Sequence, residues 1–305
     1  MHRWLSTCSR IQGGSFPSEE WYNLISAHSR RMVTNVEDQL PAIAGISSIL
    51  GENYERAYLA GLWSHDLIYG LSWYKHHMAD KHPKAKDNIR DQGKSYLAPS
   101  WSWASWPNGM ATYASRDLFH HEENLMKIID AKCKPTSKAN GPFGKVAPGG
   151  FLKLEGPIKR AKVRPASNEL YGSWVSEVVD AENDKIVGSI YLDNQPDKSQ
   201  SFEIWCLRIL RFAFSARCSY ETLCLGLVRN GEGCYRRVGL VGLFKETWRY
   251  EDQGQMYEND DSSDEDQAEE DKAEEEKNKE DTAAEEVCVW DKKVWDTEPS
   301  CITVV

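Results

Sequence analysis

The chain has 305 residues, 40% hydrophobic and 28% charged, close to globular averages and long enough for about two domains. No apolar run approaches the ~18 residues of a membrane-spanning helix. The opening "MHRWLSTCSRIQGG" lacks the apolar centre of a secretion signal, and no Asn-x-Ser/Thr acceptor occurs. These features predict a cytoplasmic protein without membrane contact. The net charge of -10 is unevenly placed: residues 251–286 hold 18 Asp/Glu and 3 Lys, so the remainder is net positive. Residues 96–250 are only mildly basic, short of the concentrated stripe of a dedicated nucleic-acid binder, and none is expected as a partner. The eight cysteines are scattered without a C-x-x-C pair, which predicts reduced, mostly buried thiols.

In chain order, "SEEWYNLISAHSRRM" begins with a capping Ser18 and two acids, and places Trp21, Leu24, Ile25 and His28 on one helical face. "DQLPAIAGISSILG" spaces Leu40, Ile43, Ala44, Ser47 and Leu50 for a second helix starting near Asp38, with Gly51 as its stop. A third, capped by Ser64, carries Leu67, Ile68, Leu71 and Tyr74. Residues 1–95 thus read as helical, with an exposed loop at 75–94. From residue 96 the period becomes two: "PSWSWAS" puts Trp101 and Trp103 on one face of a half-buried strand. Strand-like runs follow in "NLMKIIDAKC", "GFLKLEG", "SWVSEVVD", "KIVGSIYLD", "SFEIWCLRIL" and "TLCLGLVRNGEGCYRRVGLVGLF", the last with an Asn230-Gly231 hairpin signal. Residues 96–250 read as a mainly antiparallel β-domain. Residues 251–286 have too little apolar surface to fold, and 287–305 read as a strand that returns to an edge of the β-domain. The predicted class is α+β, a helical layer packed on this β-domain.

Few residues carry chemistry. His76, His77, His82, His120 and His121 lack Cys or carboxylate neighbours at ligand spacing, so neither a metal nor another cofactor is expected. The glycine-rich "GPFGKVAPGG" at 141–150 lacks the Gly-Lys-Ser/Thr end of a phosphate loop and reads as a loop. Glu122 and Glu123 are sequence neighbours only, and no Gly-x-Ser-x-Gly elbow occurs. Ser262 and Ser263, in "DDSSDEDQ", resemble an acidophilic kinase site. Trp101 and Trp103 are flanked by Pro, Ser and Ala rather than by basic residues, which favours burial over a stacking platform.

Several segments together resemble the region downstream of the HET domain in fungal heterokaryon-incompatibility proteins. They are "YLAGLW" (Tyr58, Gly61, Leu62 and Trp63), "LSW" ending in Trp73, and "APSWSWAS" (Pro99, Ser100, Trp101, Ser102, Trp103, Ala104 and Ser105). "DQLPAIAGI", "YRRVGL" and the final "ITVV" are similar to the same region. The "L-S-Y-x-W-G"-like and "W-I-D-x-L-C-I"-like segments of the HET domain are absent from these residues. The resemblance implies a non-enzymatic accessory or regulatory part of a protein of non-self recognition and programmed cell death, truncated so that it lacks the HET domain. It carries no catalytic residue over and leaves the protein partner open. Two alternatives come from the residues themselves: a carbohydrate-binding or hydrolytic protein using the tryptophan cluster, and a binder of basic proteins through the acidic segment.

Overall fold

The structure, a computed structural model, describes residues 16–31, 33–75, 95–106, 110–113, 122–137, 141–165, 175–194, 201–212, 220–231, 233–244 and 299–305. The predicted disordered segment 251–286 and the bulk of the predicted 75–94 loop lie outside them. So do His76, His77, His82, His120 and His121, and Ser262 and Ser263.

Strand pairing dominates. Eight strands between residues 127 and 244 belong to the ten-stranded main sheet: β6 (Lys127–Pro135), β7 (Val146–Gly156), β8 (Ile158–Pro165), β9 (Val175–Asp180), β10 (Ile186–Leu192), β11 (Phe202–Phe212), β12 (Tyr220–Arg229) and β13 (Cys234–Phe244). Strands β8, β9, β10, β13, β12 and β11 pair in that order, and β11 pairs back to β8, closing a six-stranded antiparallel barrel. Closure needs close backbone approach at the β10–β13 seam: a Cβ on Gly188 would stand 2.2 Å from the Gly242 carbonyl oxygen, so only glycine fits there. The interior is filled by small and branched side chains, including Val163, Val178, Ile190, Ile204, Cys206, Cys224 and Val241. Their neighbours Leu207, Leu225, Leu227 and Leu240 point outward into a second core. Both faces of β11–β13 are therefore buried, which is why these strands read as near-continuous apolar runs. Strand β8 escapes a hydrophobicity reading because Lys159, Arg160, Lys162 and Arg164 interrupt it; Lys159 and Arg164 find acids on β9, at Asp180 (2.8 Å) and Glu177.

Beyond the barrel, β13 continues into a parallel pairing with β14 (Ser300–Val304), which pairs antiparallel with β7, and β7 with β6. The terminal strand is thus an internal member of the sheet, joining the barrel to the β6–β7 hairpin. A short β5 (Glu122–Asn124) pairs with the end of β11.

The outer leucines are covered by the described residues between 16 and 113, where the helical expectation is corrected. Helix α1 (Ser18–Ser29) forms and buries Trp21, Tyr22 and Ile25. The second helical run is broken into short 3-10 turns at Val36–Asp38 and Pro41–Ile43 before α2 (Ala44–Tyr54). Gly51 lies inside α2, whose end is set by Glu55 in the left-handed conformation (φ 48°). Before the predicted third helix, in the stretch read as helical, the chain forms a hairpin, β1 (Tyr58–Leu59) and β2 (Leu62–Trp63), and the third helix itself shrinks to the single-turn α3 (Leu67–Gly70) behind a 3-10 turn at Ser64–Asp66. Tyr74 falls in β3 (Tyr74–Lys75), which pairs with β4 (Ala111–Thr112). The helical layer is consequently minor, and no helix among the described residues is long and apolar enough to cross a membrane.

Two further expectations change. "PSWSWAS" is a turn running into a 3-10 segment at Trp103–Ser105. Ser102 explains it: its hydroxyl accepts from the Ala104 N–H at 3.1 Å, and the Ser105 hydroxyl donates to the Ser102 carbonyl at 2.7 Å. Such side-chain bonds compete with a strand ladder. In "GPFGKVAPGG", Val146–Gly150 begin β7. The five described thiols are also less uniformly buried than expected: Cys206 and Cys224 are enclosed, Cys133 and Cys234 are half-buried, and Cys301 is exposed.

Candidate functional site

The segments that carry the family resemblance, far apart in the chain, meet at one buried junction between the barrel and the N-terminal layer. At its centre is Arg237 of β13, which alternation places on the same face as buried Tyr235. Its side chain has no exposure and pairs with the equally enclosed Asp193, Nε to Oδ2 at 3.1 Å. Nη1 donates to the Leu71 carbonyl at 2.7 Å and Nη2 to the Trp73 carbonyl, and the guanidinium lies 3.6 Å from the centre of the Trp73 ring. Burial raises the Asp193 carboxyl and lowers the Arg237 guanidinium, each opposed by the charge of the other. An ion pair so enclosed holds only because its remaining donors are occupied.

"APSWSWAS" packs beside this pair. The Ser100 hydroxyl accepts from the Arg237 backbone N–H at 3.0 Å and donates to the Val305 carbonyl oxygen, which the Ser100 N–H also reaches at 3.3 Å. The Val305 N–H in turn donates to Tyr235 at 2.9 Å. One hydroxyl thereby ties β13 to the terminal strand. Trp73 Nε1 donates to the Trp101 carbonyl at 3.0 Å, and Trp101 is itself fully buried.

Around Gly61 the contacts are tighter still. Trp21 and Trp103 each donate Nε1–H to its carbonyl at 3.2 Å, and the Ser102 hydroxyl donates to Ala60 at 2.6 Å. Gly61 has φ +94°, and a Cβ there would lie 2.4 Å from Trp103 Nε1. The aromatic shell continues edge-on, Trp63 standing 5.5 Å from Trp21 and 5.1 Å from Tyr58. Pro99 packs over Gly150 of β7, while Leu62 and Ala104 are buried and Ser105 half-buried. The structure therefore brings together Tyr58, Gly61, Leu62, Trp63, Trp73 and Pro99 to Ser105. It adds Arg237, Asp193 and Val305, which were not singled out as site residues. The signal for Arg237 was a charged residue at an inward position of an apolar strand.

The junction's chemistry is that of a lock. The faces of Trp101 and Trp103 are not presented to solvent, so they offer no stacking platform. A shallow depression beside Ala104, lined also by Glu37, Gln39, Leu40 and Lys145, has a cavity volume of about 10 Å³, room for about one water and far below the ~300 Å³ at which small-molecule sites begin. Its mouth is tied by Lys145 to Glu37 at 2.7 Å; this bond and that from Ser95 lower the Glu37 carboxyl. Among the described residues no three His, Cys, Asp or Glu side chains stand together as metal ligands. No family model, curated protein or solved structure matches the chain.

Proposed function

We propose that the chain is a non-enzymatic accessory region of a heterokaryon-incompatibility type protein, whose work is to fold against, regulate or present a partner. The supporting observation is the burial of the resembling segments: the residues of "YLAGLW", "LSW" and "APSWSWAS", with Tyr235 and Arg237 of "YRRVGL", go into the Arg237 junction. A sequence signature used this way belongs to a scaffold that holds two layers in register. The carbohydrate-binding alternative needs exposed rings and loses its platform with the burial of Trp101 and Trp103.

The test supplies the chain to a filamentous fungus, fused to or co-expressed with a HET domain, and scores cell death alongside the domain alone. A change in death that Arg237→Met abolishes supports the reading. Equal death with and without the chain, or hydrolysis of NAD, esters or glycosides by the purified chain above a heat-killed control, overturns it.

A further inference from the structure

The solvent side of the sheet beyond the barrel carries mainly one sign of charge. Residues opposite one another across paired strands share a face. The registers Lys127↔Glu155, Asp130↔Lys153, Lys132↔Phe151 and Lys134↔Ala147 join β6 to β7 on one surface. Lys153↔Thr303 and Glu155↔Cys301 extend it to β14, and Thr303↔Cys234 to β13. Arg236, between the buried Tyr235 and Arg237, belongs to the same surface. Lys127, Lys132, Lys134, Lys153 and Arg236 are all exposed. Among the described residues only Asp130 and Glu155 oppose them, and Glu155 is already engaged by Lys127 at 3.4 Å. The other side of these strands is the junction core, and no described element covers this side.

Strand β14, in the middle of the surface, is joined to β13 by residues 245–299, which include the 18 acids and 3 lysines of 251–286. Fully extended, that connection spans roughly 180 Å, against about 15–20 Å across four strands, so its two ends impose no limit on reach. Tethering also keeps the acids at an effective concentration of order millimolar. Single exposed ion pairs contribute little, but a run of this density opposite five cations acts as a network. We infer that residues 251–286 dock on the β6–β7–β14 face of their own chain, an extended acidic peptide serving as the intramolecular ligand of a basic sheet surface.

Lysine acetylation by an amine-reactive ester, followed residue by residue by mass spectrometry, tests this in the full chain. The comparison is a variant whose 18 acids in 251–286 are replaced by Asn and Gln. At low salt, Lys132, Lys134 and Lys153 are expected to react about fivefold more slowly in the parent, the scale of several screened pairs acting together. About 0.5 M salt should remove the difference, while Lys162, paired with Asp184 on the barrel, reacts alike in both chains. The double variant Lys132→Glu, Lys153→Glu gives an independent reading, because Lys134 should then react as fast as in the neutralised chain. Equal rates for the β6 and β7 lysines in parent and neutralised chains overturn the proposal. Protection extending equally to Lys162 overturns the assignment to this face. Protection that grows with protein concentration from about 1 to 100 μM assigns the face to a second copy and overturns docking within one chain.

Discussion

At the scale of single residues, the junction concentrates its stability in a few irreplaceable geometries. Removing Arg237 leaves Asp193 buried without its counter-charge, and such a loss costs about 3–5 kcal/mol. Arg237→Met is expected to lower the urea midpoint accordingly, and adding Asp193→Asn should recover part of the loss; strict additivity would mean the two do not act as a pair. Gly61 is constrained differently. An alanine there meets both the positive φ and the Trp103 ring, so Gly61→Ala should destabilise by about 2–4 kcal/mol. Gly45 in α2 has open space around it, and Gly45→Ala should be neutral or stabilising by up to ~1 kcal/mol. Thermal melts of the two variants separate steric constraint from any general intolerance to alanine. His28 supplies the pH dependence. Burial lowers its pKa below 6.5, opposed by its hydrogen bond to the Gln39 carbonyl at 3.1 Å. The folded ring thus holds its proton less tightly than the unfolded one. Between the folded value and 6.5 the unfolded state binds more protons, and stability falls as the pH drops through that window. His28→Gln should flatten this part of the profile, read from urea midpoints at successive pH values.

At the scale of elements, β14 joins two parts of the sheet that share few other contacts. Ile302 and Val304 are buried, each contributing about 1.5–3 kcal/mol, and the strand supplies β7 with a full antiparallel partner. A chain ended at Glu286 should therefore lose several kcal/mol, with amide exchange accelerating first in β6 and β7 and least in β8–β10. Unchanged exchange in β6 and β7 would show that the hairpin stands without β14. The β-rich half was legible in the sequence because period-two apolar runs and turn residues survive intact, as at Asn230-Gly231 between β12 and β13. The N-terminal half was not, because its apolar residues surround the aromatic core from turns and two-residue strands as well as helices. Leu67 and Leu71 fit a helical face in the sequence, yet only a single turn forms there, the chain leaving it to deliver the Leu71 and Trp73 carbonyls to Arg237. "WSWAS" misled for a related reason: alternating residues imitate a strand, while hydroxyl-to-backbone bonds fold the segment into a turn with Ser102 as buried as the tryptophans. The resembling segments located the candidate site, but not its ionic centre, since nothing in sequence spacing pairs Asp193 with Arg237.

At the scale of the whole molecule, two apolar cores share one wall. Strands β11, β12 and β13 send Ile204, Cys206, Cys224 and Val241 into the barrel and Leu207, Leu225, Leu227 and Leu240 into the junction. Opening the barrel removes the wall against which the tryptophans pack, and losing the N-terminal layer exposes the leucines of the same strands. Neither core can therefore be lost while the other keeps its packing, which is the condition for a single cooperative transition. The seven described tryptophans all lie in or against the junction core, and none of them is in the barrel interior. Emission from these seven of the chain's twelve tryptophans reports on the junction, and far-ultraviolet circular dichroism weights the strands of the barrel. Urea unfolding followed by the two signals should superimpose, with one midpoint and one slope. If emission shifts red at lower urea while the strand signal persists, the barrel stands by itself, and the N-terminal layer is a separable cap held mainly by the Arg237 lock. Arg237→Met then decides whether the lock couples the layers: a variant that splits the superimposed curves into two assigns to that single ion pair the joining of barrel and layer.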